Sequence, residues 1–288
     1  MKFRNVKVPE GINVSRHSAL GDLVILSAGA TAIFVVLAIA LWFFGGALAR
    51  YMPISWESML ADGLFREDKD PAGASDRGIE TELQVLADRL SAGMDLPEGL
   101  RVRVHYVDSE IVNAAAWLGG HVFVFRGLLE RMPNENALAM VLGHEIAHAA
   151  NRDVVGNMGG ALLLQLAFGL VIGNAPASLE DWIVGPSALI FLGFSRDAER
   201  RADDDALAAV AGLYGHTSGS GTLFEIFLEM AAEQGGTAPE LLSSHPLSED
   251  RIARMKRRAQ ARGWRIEGPT THLAPALAAL GEAFAASP

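Results

Sequence analysis

From Leu23 to Ala49 the chain carries no charged residue, and Val, Leu, Ile and Phe fill much of the run. No other stretch limits the fold as strongly. At a rise of about 1.5 Å per residue it is ample for a hydrocarbon core of about 30 Å, and it predicts one transmembrane helix over 23–49. Trp42 stands near the far end and Arg50 and Tyr51 follow, as interfacial anchors do. Lys2, Arg4, Lys7 and Arg16 precede the run, while Arg50, Arg66 and Lys69 come after it. That bias favours a cytoplasmic segment over 1–22 and places everything after Arg50 on the extracytoplasmic (periplasmic) side. Ala47-Leu48-Ala49 also resembles a signal-peptidase site, so the alternative is a cleaved signal peptide and a secreted or periplasmic product. The apolar run far exceeds the roughly 7–15 residues of a signal-peptide core, which argues for the anchor. Composition agrees: half of the residues are hydrophobic and mean hydropathy is +0.22, high for a water-soluble chain. A net charge of −10 argues against nucleic acid as a partner. With no cysteine, disulfide frameworks and thiol catalysis are excluded.

Residues 50–76 have linker composition, with Pro53, Gly63, Pro71 and Gly73 around the charged cluster 66–70, and a short helix is expected at Trp56–Leu60. Leu83, Leu86, Ala87 and Leu90 recur on one face and predict a helix from Ile79 to Leu90. Val102, Val104 and Tyr106 alternate with Arg101, Arg103 and His105, the pattern of a half-buried strand. Gly119-Gly120 predicts a turn into a second strand, His121–Phe125. This strand either belongs to an ordinary hairpin or leaves one edge free for an extended peptide; the second reading makes Gly120, His121, Val122 and Phe123 candidates for substrate binding. Further on, 159–194 contains two apolar arms, Gly159–Gly173 and Trp182–Phe194, each short for a membrane span. They predict a hairpin that meets the membrane surface without crossing it, the alternative being a hairpin buried in the core. Helices are expected over Thr222–Glu233, over Ser248–Arg262 and from Ala274 onward.

Inside an apolar stretch that Asn134 is placed to cap lies His144-Glu145-Ile146-Ala147-His148. Residues four apart share a helix face, so His144 and His148 can grip one Zn²⁺, with Glu145 beside them as general base toward a zinc-activated water. Hemmed in by Val141, Leu142, Ile146 and Ala147, these polar groups would be costly to bury unless something paired them. A third ligand is needed. Asn151 and Val154 stand where the pattern His-x-x-Gly-x-x-His needs Gly and His, so a later helix must supply it. The segment Ser195–Asp203 offers a capping serine, Asp197 in the first turn, and Glu199 and Asp203 on one face. Glu199 can reach the metal, and Asp203 can bond the free nitrogen of a ligand histidine from behind. Glu180 is a rival ligand, but Pro176, Ser178 and Pro186 around it suggest a loop.

With these segments in place the sequence resembles the membrane-associated zinc endopeptidases of the HtpX and CAAX prenyl protease kind, metallopeptidase family forty-eight. The resemblance rests on Asn113-Ala114-Ala115-Ala116, on Gly119-Gly120 through Arg126-Gly127-Leu128-Leu129, on His144–His148, on Ser195–Asp203 and on Ser244-His245-Pro246. It covers about 77–262 in the same order. One departure is Arg152-Asp153, where such enzymes often carry Arg-His, and it puts the local hydrogen bonding in doubt. The resemblance implies an α+β, mainly helical zincin-like domain over 77–288 with a small β-sheet, preceded by the single transmembrane helix. It implies one zinc per chain on His144, His148 and Glu199, and protein or peptide substrates drawn from misfolded or damaged membrane or envelope proteins. The lipid bilayer is the other expected partner. The segment holding His245 returns to the cleft in such enzymes. His245 could therefore bind the transition-state oxyanion, with Arg251 as a second candidate, or could occupy the open metal position when no substrate is bound. Two further readings remain: a membrane-tethered binding or chaperone-like protein that keeps the fold without turnover, and a processing protease of narrow specificity.

Overall fold

A computed structural model of the chain describes residues 18–65, 74–160, 194–222, 224–226, 245 and 249–286. The expected apolar hairpin, Glu180, the segment 1–17 and most of the helix expected from Thr222 lie outside the described residues.

The first helix, α1 (Ala19–Ala49), begins at Ser18, whose hydroxyl accepts from the Gly21 N–H at 3.3 Å, with Asp22 in the first turn. Its part from Leu20 to Ala49 contains an 18-residue window with a mean hydropathy of 2.6 and is long and apolar enough to cross a membrane. Leu23, Ile33 and Phe43 are among its many exposed apolar side chains. Each would gain on the order of 1.5–3 kcal/mol by leaving water, so this exposure suits a lipid surround.

The segment with linker composition holds a longer helix than expected, α2 (Ile54–Phe65). It is inverted: Glu57 and Ala61 are buried, while Trp56 and Met59 are exposed. The buried carboxylate is paired, Glu57 Oε1 accepting from the Gly119 N–H at 2.9 Å and Oε2 from Arg152 at 2.9 Å. Next, α3 (Ala74–Ser91) buries Ile79, Leu83, Leu86, Ala87 and Leu90, the 3–4 spacing read from the sequence.

Three strands follow: β1 (Arg103–Val107), β2 (Ala114–Ala116) and β3 (His121–Phe125), in the order β1-β3-β2. Strand β3 pairs parallel to β1, with Val104 opposite Val122, and antiparallel to β2, with Ala116 opposite Val122. The expectation of a free edge on His121–Phe125 is therefore corrected, because β3 is the central strand and both of its edges are taken. With it goes the reason for assigning Gly120, His121, Val122 and Phe123 to substrate. Val122 is buried, and the His121 ring lies against His105 with 2.7 Å between ring nitrogens. The outer edge of β1 is closed by α3, since the Val104 and Tyr106 N–H groups donate to Gln84 Oε1 at 2.9 Å and Glu80 Oε1 at 3.0 Å.

After the single turn α4 (Arg126–Leu129) come α5 (Glu135–Ala150), a helical segment over 153–160, α6 (Arg196–Tyr214), α7 (Glu249–Ala261) and α8 (Pro275–Ala285). Asn134 caps α5 by accepting from the Ala137 N–H at 2.9 Å, and Ser195 caps α6 by accepting from the Ala198 N–H at 3.3 Å. The α5–α6 pair is the centre of the domain. Its seam is built of small residues, Gly143 against Ala206, and a Cβ at Gly143 would lie 3.3 Å from the Ala206 Cα. The main core gathers α3, β1, β3, α5 and α6. A second apolar cluster joins Ala61, Trp117, Leu118, Val154, Val155 and Met158 to Ala49 and Met52 at the end of α1. The result is a mainly helical α+β domain with a three-stranded sheet and one N-terminal apolar helix.

Candidate active site

Helix α5 is buried on all sides from Asn136 to Ala149, so His144, Glu145 and His148 enter a dry interior. They do not stand alone there. His144, His148, Glu199 and His245 each offer one ligand atom, and these four atoms lie within 4.8 Å of one another. His144 Nε2 is 3.1 Å from His148 Nε2 and 3.2 Å from His245 Nδ1. Glu199 Oε1 lies 2.8 Å from His245 Nδ1 and 3.3 Å from His148 Nε2. Phe194 stacks on the His148 ring at 3.9 Å and closes one side.

Each α5 histidine is held from behind by a carboxylate. His144 Nδ1 is 3.1 Å from Asp203 Oδ1, and His148 Nδ1 is 3.1 Å from Asp153 Oδ2. A ring that donates Nδ1–H in this way turns the lone pair of Nε2 outward, the form in which an imidazole ligates a metal. Asp203 is gripped in turn by Arg251, which donates from Nε at 2.9 Å and from a terminal nitrogen at 2.6 Å, and by Arg254. Burial alone would raise the Asp203 carboxyl, but the His144 hydrogen bond and the Arg251 charge bring it to about 2. Burial also opposes charge on Glu199, yet hydrogen bonds to His144, His148 and His245 hold it far below the usual carboxylate range. Both carboxylates are thus anionic. The His245 ring is pushed the other way, burial lowering its pKa and keeping it neutral.

The donor set suits a divalent metal. It offers two imidazoles, each held by a carboxylate at Nδ1 with Nε2 turned to the common centre, and an anionic carboxylate. Among the described residues Glu199 Oε2 is buried and makes no hydrogen bond, with Arg251 as an ion-pair partner at 3.2 Å, so it keeps a lone pair for a metal. Glu145 is placed differently. Its Oε2 accepts from the Ala116 N–H at 2.8 Å, while Oε1 has no hydrogen bond among the described residues and lies 3.5 Å from His245 Nε2. One oxygen is fixed and the other is left for chemistry.

All seven residues expected at the metal and its surroundings thus meet at one point. Arg251 is among them, but its guanidinium is committed to Asp203 and lies 3.2 Å from Glu199 Oε2. Asp153 was missed. An acid five residues past the second histidine looks like a lost histidine of the motif, whereas it takes up the His148 Nδ1. Nothing in the sequence singled out Arg254, which joins Arg251 on Asp203.

The family model described as Peptidase family M48 matches residues 76–259. The chain belongs to peptidase family M48. Among relatives, it is 31% identical over 217 residues to the mitochondrial metalloendopeptidase OMA1 of Danio rerio, covering 68% of this chain and 44% of that one. It is 30% identical over 163 residues to the mitochondrial metalloendopeptidase OMA1 of Schizosaccharomyces pombe, covering 54% of this chain and 46% of the relative. To the beta-barrel assembly-enhancing protease of Yersinia pestis it is 27% identical over 231 residues, 75% of this chain and 46% of the other. The chain spans less than half the length of each of these relatives.

Proposed function

We propose that the chain is a membrane-anchored, zinc-dependent metalloendopeptidase in which His144, His148 and Glu199 hold the metal and Glu145 is the general base. The observation that supports it most strongly is the convergence of these donors with Glu145 in a buried site. When bound, zinc supplies Lewis acidity toward a peptide carbonyl and lowers the pKa of water within its reach. The Ala116 N–H holds one oxygen of Glu145 still, so the other can take the proton of the attacking water and later pass it to the leaving amine. The carboxylates of Asp203 and Asp153 fix the ligand rings, and Arg251 keeps Asp203 and Glu199 charged and in place.

His245 stands among the ligand atoms, which supports its reading as a neutral cap on the fourth metal position in a resting state. As substrate enters it moves aside, and from there it can donate to the oxyanion. On the first role His245→Ala raises turnover of unstructured substrates; on the second it lowers turnover by about 10²-fold.

The helix α1 supports anchoring in a bilayer, with the N-terminus cytoplasmic and the catalytic domain outside the cytoplasm. Misfolded or damaged membrane and envelope proteins are the proposed substrates, and one relative is named a beta-barrel assembly-enhancing protease. The deciding test uses full-length protein, unfolded casein and metal analysis. Wild type should cleave casein at many sites, and Glu145→Gln should abolish cleavage while keeping one zinc per chain, since glutamine cannot accept the proton. Full activity of Glu145→Gln would overturn the mechanism, and a wild type that binds zinc without cleaving would favour a binding protein.

A further inference from the structure

The chain leaves α5 through a strained turn. Arg152 has φ 57°, a left-handed conformation that costs a non-glycine residue on the order of 1 kcal/mol. The turn is held by the membrane-anchor side of the molecule, since Arg152 donates to the Met52 carbonyl at 2.6 Å and to Glu57 Oε2 at 2.9 Å. Met52 lies just past the end of α1, and Glu57 is the buried acid of α2. The next residue is Asp153, which is 1% exposed and holds His148 Nδ1. Its other oxygen faces two guanidinium groups, Arg201 from α6 at 3.2 Å and Arg50 from the end of α1 at 3.6 Å.

Beyond Asp153, the segment 153–160 is pressed against the last turns of α1 with almost no side chain between them. A Cβ on Gly46 would stand 2.6 Å from the Gly156 carbonyl oxygen, and one on Gly159 would stand 2.4 Å from the Ala49 Cβ and 2.8 Å from the Gly45 oxygen. A Cβ on Gly156 would meet the Arg50 guanidinium at 2.6 Å. Glycine-lined crossings of this kind let two backbones touch and leave little play along the contact. The cluster of Val154, Val155 and Met158 with Ala49 and Met52 closes the junction.

We infer that the end of α1 is a positioning part of the metal centre: Arg50, seated on Gly156, sets the Asp153 carboxylate, and Asp153 sets ligand His148. This rests on the reading of His148 as a metal ligand. The membrane helix is then more than a tether. The contact reaches the donor set in two steps, from Arg50 to Asp153 and from Asp153 to His148, so a shift of the anchor relative to the domain reaches the metal. Arg50 and Asp153 are positioning residues, because neither touches substrate or the reacting atoms.

The test uses the full chain in detergent micelles and measures zinc affinity by chelator competition, together with the melting midpoint of the metal-free protein. Arg50→Gln should weaken zinc binding about three- to tenfold, at or below the range found for outer hydrogen-bond partners of ligands, with the metal-free midpoint unchanged. Arg50→Lys, which keeps the charge, should restore most of the affinity. In an Asp153→Asn background, Arg50→Gln should have little further effect, because the path from Arg50 to His148 is already cut. A purely structural role for Arg50 would instead lower the metal-free midpoint and persist in the Asp153→Asn background. Either that result, or wild-type zinc affinity in Arg50→Gln, overturns the inference while leaving the protease reading intact. A wild type that binds no zinc overturns both.

Discussion

His144 and His148 stand one turn apart on the same helix and look alike in sequence, yet different parts of the chain brace them. Behind His144 is Asp203, held by Arg251 and Arg254 from α7, all within the catalytic domain. Behind His148 is Asp153, held by Arg201 from α6 and by Arg50 from the end of the membrane helix. The first brace also serves a second proposed ligand, since Arg251 lies 3.2 Å from Glu199 Oε2. The second brace serves His148 alone but carries the junction with the anchor. One side of the site is thus fixed by the fold, and the other is shared with whatever positions α1.

The largest effect should come from the residue on which both sides converge. Glu199→Ala removes the proposed ligand placed between the two histidines, and the protein should lose stoichiometric zinc and activity together. Retention of one zinc per chain would mean that the third ligand lies elsewhere. Next is the contrast of the braces themselves. Asp203→Asn should cost about 100-fold in zinc affinity and Asp153→Asn about tenfold, the upper and lower ends of the range for such partners. The order follows from what each carboxylate supports. Without the Asp203 charge, Arg251, which is 6% exposed, keeps only Glu199 as a close counter-charge among the described residues, so the melting midpoint should fall as well. Equal losses in the two variants would remove the asymmetry. The smallest effect is expected for Arg254→Gln, whose side chain is a quarter exposed and only the second partner of Asp203. Zinc affinity there should change by less than about threefold, as for most ion pairs that water can reach.

The sequence made one brace visible and hid the other. Spacing was enough for His144, Glu145 and His148, and Glu199 and Asp203 share a capped helix face, so the structure finds all five together. Asp153 follows a turn that only the left-handed Arg152 makes possible, and nothing local distinguishes a buried acid there from a solvated one. Arg50 was legible as a flanking charge for membrane topology, but its contact with Gly156 depends on two segments more than a hundred residues apart. The same limit applies to the sheet. Alternation identified strand β3, while its place between β1 and β2 depends on a parallel pairing across the chain that periodicity does not encode. Helix α2 was expected only as a short helix at Trp56–Leu60, and its full length was hidden because its buried face carries Glu57 and its exposed face carries Trp56 and Met59, the reverse of the usual pattern.

The seam between α5 and α6 sets a tolerance for the whole centre. Gly143 stands directly before His144, and Ala206 stands three residues after Asp203, so the contact lies beside both helices' functional residues. One added methyl at Gly143 would meet the Ala206 Cα and Cβ at 3.3 Å and would have to push them back by a few tenths of an ångström. Metal–ligand distances are held within about 0.2 Å. The two lengths are of the same order. The helices therefore act as meshed gears whose clearance matches the precision of the work they do. A substitution at Gly143 that adds no charge and alters no ligand would be felt first as a misfit between donors.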